Sequence, residues 1–234
     1  FIYEELLKIP FDLFNIITKY IELNEGTKVA FVGGYVRDLL ITKFHKEKLF
    51  NPLDIDLVIE GSSIDIAKFI KKNISNVELC LIKEFEIYNT VEININDFKI
   101  DIASARQEIY KGPGLNPVIT NTTIENDLKR RDFSINAIAF EVSKKEIYDF
   151  YNGIKHIQKK ELHLLHENSI QDDPSRLIRC ARYASRLGFQ ISETSLIQSQ
   201  KLINKWPWQN INKGERSVFP PGISIRIRME LSEI

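Results

Sequence analysis

The sequence predicts a first domain of interleaved strands and helices, α/β or α+β, over residues 1–150, followed by a helical unit over 151–234. Three observations predict this. Short apolar runs of strand length alternate with helical spacings up to about residue 150. From about residue 154 onward the strand signals fade and helical ones dominate. The composition, 43% apolar and 27% charged, is that of an ordinary globular chain and excludes disorder, collagen-like repeats and a disulfide scaffold.

The opening FIYEELLKIPFDLFNIITKYIEL is amphipathic, with Glu4, Glu5, Lys8 and Asp12 among its apolar residues, and predicts a helix interrupted near Pro10 instead of a signal peptide. KVAFV (28–32) predicts a buried strand running into Gly33-Gly34, with YVRDLLI (35–41) helical and the lysine-rich 42–50 a loop. LDIDLVIE (53–60) predicts a strand and SIDIAKFIKK (63–72) a helix. VELCLIK (77–83), EIYNTVEINI (86–95) and FKIDIAS (98–104) follow as strands. Residues 105–122, with Gly112, Pro113, Gly114 and Pro117, predict a loop. WPW and KGERSVFPPG (206–222) separate one helical unit from another that begins near Ile223. The chain starts at Phe1 without methionine and stops abruptly at Ile234, which suggests part of a longer protein.

Lys+Arg and Asp+Glu number 32 each, so net charge says nothing about a polyanionic partner. Their distribution says more: 14 basic and 18 acidic residues in 1–120 leave 18 and 14 for 121–234, a balance of −4 beside +4. Cys80 and Cys180 lie in apolar surroundings with no metal-ligand spacing and read as buried thiols of a reducing compartment. No apolar run approaches the roughly 20 residues of a membrane span.

Asp54 and Asp56 stand two apart in a strand, so both carboxylates share one face. Like charges this close repel, and a hard divalent cation with oxygen ligands, Mg²⁺ above all, is their natural partner. A solvated strand face is the alternative. Asp101 shares the polar face of a neighbouring strand, and its convergence on the pair would make a metal-assisted phosphoryl-transfer site. Gly33-Gly34, between strand and helix, lets backbone N–H groups approach phosphates. The missing third glycine argues against a nicotinamide-binding dehydrogenase.

Arginine placement adds a second signal. The chain has 21 lysines and 11 arginines, yet eight arginines fall at Arg37, Arg106, Arg130-Arg131 and the series Arg176, Arg179, Arg182 and Arg186. The planar guanidinium suits phosphates and base edges. In DDPSRLIRCARYASRLGF, Asp173 offers a cap, Pro174 a first helical position and Gly188 a stop. On a helical wheel the four arginines fall within an arc of about 120°, opposite Leu177, Ile178, Cys180, Ala181, Ala184 and Leu187. In RRDFSINAIAF, Arg131, Asp132 and Asn136 are suited to phosphate and ribose-hydroxyl contacts.

Together these segments resemble the class II nucleotidyltransferase family, the CCA-adding tRNA nucleotidyltransferases and bacterial poly(A) polymerases. FVGGYVRDLL with NPLDIDLVIEG is similar to the family's first motif, ENDLKRRDFSINAIAF to its ribose-selecting motif, DDPSRLIRCARYASRLGF to its nucleotide-reading helix, and PPGISIRIRMEL to its later neck motif. The resemblance runs from Lys28 to Leu231 and implies an α+β fold: a mixed β-sheet head over 1–150, then an all-helical neck and start of body over 151–234. It implies Mg²⁺ on Asp54 and Asp56, catalysis by these with Asp101, and triphosphate contacts from Gly33, Gly34 and Arg37. Arg131 would bind nucleotide, with Asp132 and Asn136 near the ribose. Asp173 and Arg176 would read the base edge while Arg179 and Arg182 face phosphates. Asp172 stands where the family usually has glutamate, and His156, in a segment resembling the head–neck linking motif, where it has aspartate. The implied reaction is cytoplasmic addition of C or A to the tRNA 3′ end from CTP or ATP. CCA, CC-only, A-only and poly(A) addition compete within the family, and the segment 104–118 lies where its specificity loop sits. A non-catalytic RNA-binding module is the rival from another class, against which the intact aspartate pair argues.

Overall fold

The computed structural model describes residues 1–46, 54–75, 80–85, 89–112, 114–205 and 221–234. The amphipathic start forms α1 (Ile2–Leu6) and α2 (Leu13–Leu23), joined by a 3₁₀ turn at Pro10–Asp12 in which Phe11 and Asp12 take φ of 66° and 56°. Helix α2 lays Leu13, Phe14, Ile16, Ile17 and Tyr20 into the core. Strand β1 (Lys28–Val32) ends at the glycine pair, where α3 (Gly33–His45) begins. This helix runs through the predicted lysine loop as far as His45, because Lys43 is a good helix former and His45 Nε2 lies 2.8 Å from the Ile157 carbonyl oxygen. Residues 47–50 of the expected loop lie outside the described residues.

Strand β2 (Asp54–Glu60) precedes α4 (Ser63–Asn73), which Ser62 caps by accepting a hydrogen bond from the Asp65 amide. Three strands follow: β3 (Cys80–Phe85), β4 (Thr90–Ile95) and β5 (Phe98–Ser104). The predicted loop over 105–122 instead contains an antiparallel hairpin, β6 (Arg106–Ile109) with β7 (Val118–Asn121). In β6 the partly buried positions are the charged Arg106 and Glu108, and β7 is mostly exposed, so no apolar alternation announces them. Helix α5 (Ile124–Lys129), β8 (Ala139–Glu141) and β9 (Glu146–Tyr148) complete the N-terminal part.

Among the described residues, seven strands form one mixed sheet in the order β3-β4-β5-β2-β1-β8-β9. Only the β2–β5 pair in it is parallel. Val29, Phe31, Ile55, Leu57, Ile59, Ile93, Ile100 and Ile102 supply the buried face, against α2, α3 and α4. Beyond the sheet lie α6 (Gly153–Lys159), β10 (Glu161–Leu162), α7 (Ser169–Asp172), α8 (Ser175–Leu187), β11 (Gln190–Ile191), α9 (Glu193–Lys205) and α10 (Pro221–Ser232). This part is not wholly helical as expected: β10 and β11 form a two-residue parallel ladder that ties the connection between α6 and α7 to the end of α8. Cys180 is a buried free thiol, whereas the Cys80 side chain lies outside the described set. Burial pushes the Cys180 thiol up to about 11. Among the described residues no helix is long and apolar enough to cross a membrane.

Candidate active site

The parallel pairing of β2 with β5 sets Asp56 directly beside Asp101 and Asp54 beside Lys99. In β2 the alternation exposes Asp54, buries Ile55 and leaves Asp56 partly covered. The Gly33-Gly34 turn closes over Asp56: the Gly34 amide lies 3.3 Å from Asp56 Oδ2 and donates to it. Gly33 has φ of 67°, and a Cβ there would stand 2.8 Å from Asp56 Oδ2 and 3.3 Å from Arg131 Nη1. Only glycine therefore fits between strand and turn. Burial pushes the Asp56 carboxyl above the usual carboxylate range and Asp101 adds to this, against the pull of Arg131 and the Gly34 amide.

Such a carboxylate gains from a cation. Mg²⁺ is commonly held by one or two carboxylates and completed by substrate phosphates, which suits Asp54 and Asp56 on one strand face. A protein-only cage is not present, since among the described residues no group of three His, Cys, Asp or Glu side chains is arranged to hold a metal. Asp101 does come beside Asp56, as expected of neighbouring strands. Its Oδ2 accepts from Lys99 Nζ at 2.7 Å, and the same ammonium reaches Glu92 at 3.5 Å. Lys99 thus partners Asp101, whose charge still acts on Asp56 across the register.

Helix α5 and the turn after it organise the arginines. Asp127, fully buried, accepts from Arg130 Nη2 at 2.8 Å and from Arg131 Nη2 at 3.1 Å. Its charge is kept, despite burial, by those two guanidiniums, which hold its carboxyl below the usual range. Arg131 Nε is buried without an acceptor among the described residues. Asp132 Oδ1 accepts from the Phe133 amide at 2.7 Å and Asn136 Nδ2 at 3.0 Å, and Asp132 Oδ2 from Arg179 Nη1 at 3.2 Å. Asn136 in turn accepts from Arg37 Nη1 at 2.8 Å. Arg37 is only 2% exposed, also bonded to Asp38, and stands over the Tyr183 ring. It lies behind the glycine turn and does not open to solvent.

Helix α8 carries the expected stripe, but its arginines are engaged differently. Arg176 is 7% exposed and donates to Ser169 and to the Arg130 carbonyl oxygen. Arg182 pairs with Glu230 at 2.8 Å, and Arg186 lies over Tyr183. Cys180 and Leu187 are buried as expected, whereas Ala181 is exposed. Asp173 caps the helix through Ser175. Glu108, Tyr110, Arg130, Arg131, Asp132, Asp173, Arg176 and Arg179 together line a cleft of about 290 Å³. The ribose-motif and helix residues thus meet in one place, with Arg131 joining the cleft to the Asp56 turn. Arg37 and Arg182 are not among its lining residues.

Sequence reasoning missed Asp127, Glu108, Tyr110, Lys99, Arg226 and Glu230. Asp127 was signalled by its spacing of three and four from Arg130 and Arg131 on one helix face. Lys99 was signalled in the same way, two residues from Asp101 on one face of β5, whereas Arg226 and Glu230 depend on contacts between elements.

A mixed sheet that sets a carboxylate under a glycine turn, beside an arginine-rich cleft, is the arrangement of a nucleotide-handling domain. The chain belongs to the poly(A) polymerase head-domain family, whose sequence model matches residues 29–163. It is 33% identical over 207 residues to an A-adding tRNA nucleotidyltransferase of Aquifex aeolicus, covering 86% of this chain and 23% of that protein. It is also 33% identical to a CC-adding tRNA nucleotidyltransferase of Deinococcus radiodurans, over 69% of this chain and 41% of the relative. An apo CCA-adding enzyme structure superposes with a TM-score of 0.78 at 30% identity, over 99% of this chain and 51% of that one. The chain spans less than half the length of these two relatives.

Proposed function

We propose that this chain carries the nucleotide-transferring part of a tRNA nucleotidyltransferase, in which an RNA 3′-hydroxyl attacks the α-phosphate of CTP or ATP and pyrophosphate leaves. The carrying observation is the Asp56–Asp101 register under the glycine turn, joined through Arg131 to the arginine-lined cleft. In this reading Asp54 and Asp56 hold Mg²⁺, which when bound supplies positive charge to the reacting phosphates and acidity to the attacking hydroxyl. The Gly33-Gly34 turn lets backbone approach the triphosphate, and Arg131, with its unpaired Nε, neutralises it. Asp132 and Asn136 hold the ribose side, Asp173 and Arg176 read the base, and Arg179 meets phosphate. Arg37 and Arg182, committed to Asn136 and Glu230, support the site from behind. The names of the relatives support a tRNA as acceptor; the 3′ end and a cytoplasmic place of action belong to the same reading.

The test is incubation of the protein with Mg²⁺, single nucleotides and tRNAs ending before, within or after CC. Incorporation of C or A is expected, and Asp54→Asn with Asp56→Asn should abolish it while leaving thermal unfolding near the parent, since removing paired like charges relieves repulsion. Substantial incorporation by the double variant would remove the metal assignment.

A further inference from the structure

We infer that Arg226 is a positioning residue for base choice: from α10 it fixes the Asp173 carboxylate so that one defined oxygen faces the cleft. The inference rests on Asp173 reading the base, as proposed above. Two hydrogen bonds and one ion pair fall on a single oxygen of Asp173, and Arg226 Nε, although buried, makes no hydrogen bond there among the described residues. The Ser175 amide donates to Oδ1 at 3.1 Å, the Ser175 hydroxyl at 2.7 Å, and Arg226 Nε pairs with the same atom at 3.2 Å. Among the described residues Asp173 Oδ2 has no hydrogen bond or ion pair, and Asp173 lines the cleft.

The two Ser175 bonds come from the helix that Asp173 caps and move with it. Arg226 comes from another element and is itself held. Its Nη2 donates to the Gly114 carbonyl oxygen at 2.9 Å, while the Gly114 amide donates to the Gln171 carbonyl oxygen at 3.1 Å. The segment between β6 and β7, α7 and α10 therefore meet at the atom group that orients Asp173. Nearby guanidiniums do not compete for it: Arg179 is paired with Asp132 and Glu230, and Arg182 with Glu230. Arg226 is the one cation paired with Asp173 among the described residues.

A fixed, acceptor-only oxygen selects by chemistry. The amino groups of cytosine and adenine donate to it, whereas uracil and guanine present a carbonyl oxygen at the corresponding edge position and are repelled. Loss of Arg226 frees the carboxylate to roll, and selection falls while binding of ribose and phosphates continues.

Calorimetric titration of this chain with CTP, UTP, ATP and GTP in Mg²⁺ tests this. The parent is expected to prefer CTP over UTP and ATP over GTP. R226A should narrow both ratios about tenfold, the order of one misaligned charge-assisted hydrogen bond. R226K should restore most of that ratio, because an ammonium still pairs with Oδ1. Equal weakening of all four nucleotides by R226A, with ratios kept, would show a merely structural role and overturn the inference. D173N separates the two layers. If D173N collapses the ratios and R226A does not, base reading stands and the role of Arg226 falls. If neither the parent nor D173N discriminates, base reading itself fails and the inference with it. Should R226A not fold, R226Q, which keeps side-chain length without charge, carries the same comparison.

Discussion

At Gly33 a single hydrogen atom decides whether strand and turn fit together. An alanine there takes a left-handed backbone conformation and sets a methyl 2.8 Å from Asp56 Oδ2. Gly33→Ala is expected to cost about 1–2 kcal/mol of stability in urea titration and to weaken nucleotide binding further, by displacing Asp56 and Arg131. His166 gives a pH signature. Burial, helped by Arg176 and Lys129, pulls its pKa down to about 4, from the usual value near 6.5. Between these values the unfolded chain binds the proton and the folded chain does not. Stability is therefore full above about pH 6.5 and falls as pH drops toward 4, by up to about 3 kcal/mol. His166→Gln should remove most of that slope; His156, also lowered by burial, supplies the remainder. Asp127 and Asp132, held low by arginines, lose their contribution only below the ordinary carboxylate range. Unchanged acid sensitivity in His166→Gln would show that other groups set it. Among these residues, Asp54 and Asp56 were legible from a period of two. The placing of Asp101 beside Asp56 was not, because it needs the order of strands β5 and β2; its pairing with Lys99, two residues away on one face of β5, was within reach of the same period.

The elements were legible where their pattern was local. The glycine turn, the β2 alternation and the cap of α8 follow from neighbouring residues. The β6–β7 hairpin was hidden because both its faces mix polar and apolar residues and its turn is crowded with glycine and proline. The face of α8 was read only in part: Cys180 and Leu187 are buried but Ala181 is exposed and Arg176 buried, and Arg179 and Arg182 meet α10 through Glu230. Glu230 is 9% exposed and serves two guanidiniums, so removing its charge strands both. Glu230→Gln should cost about 2 kcal/mol in urea unfolding, lowering the midpoint with little change in slope. A loss within error of zero would show that solvent replaces the pair.

For the molecule as a whole, −4 in 1–120 beside +4 in 121–234 is a small asymmetry. An RNA acceptor arm needs a long positive track, and every phosphate contact steepens the dependence of affinity on salt. This chain is expected to bind tRNA weakly, with a shallow salt slope, while binding Mg²⁺–nucleotide measurably. A slope and affinity equal to those of a relative about twice its length would place the RNA track within these residues.

The sheet order also has a consequence for synthesis on the ribosome. Strand β1 sits between β2 and β8, pairing Ala30–Val32 with residues 139–141. As the chain emerges, β3, β4, β5, β2 and β1 are complete long before β8 appears, leaving one flank of β1 as an unpaired edge. That edge, Val29 to Val32, is wholly apolar, the kind of surface that recruits other strands. Nascent chains stalled before residue 139 should therefore be protease-sensitive and prone to association, and those stalled after the exit of residue 148 should not. The aspartate pair is assembled early, on a platform whose last protecting strand arrives late.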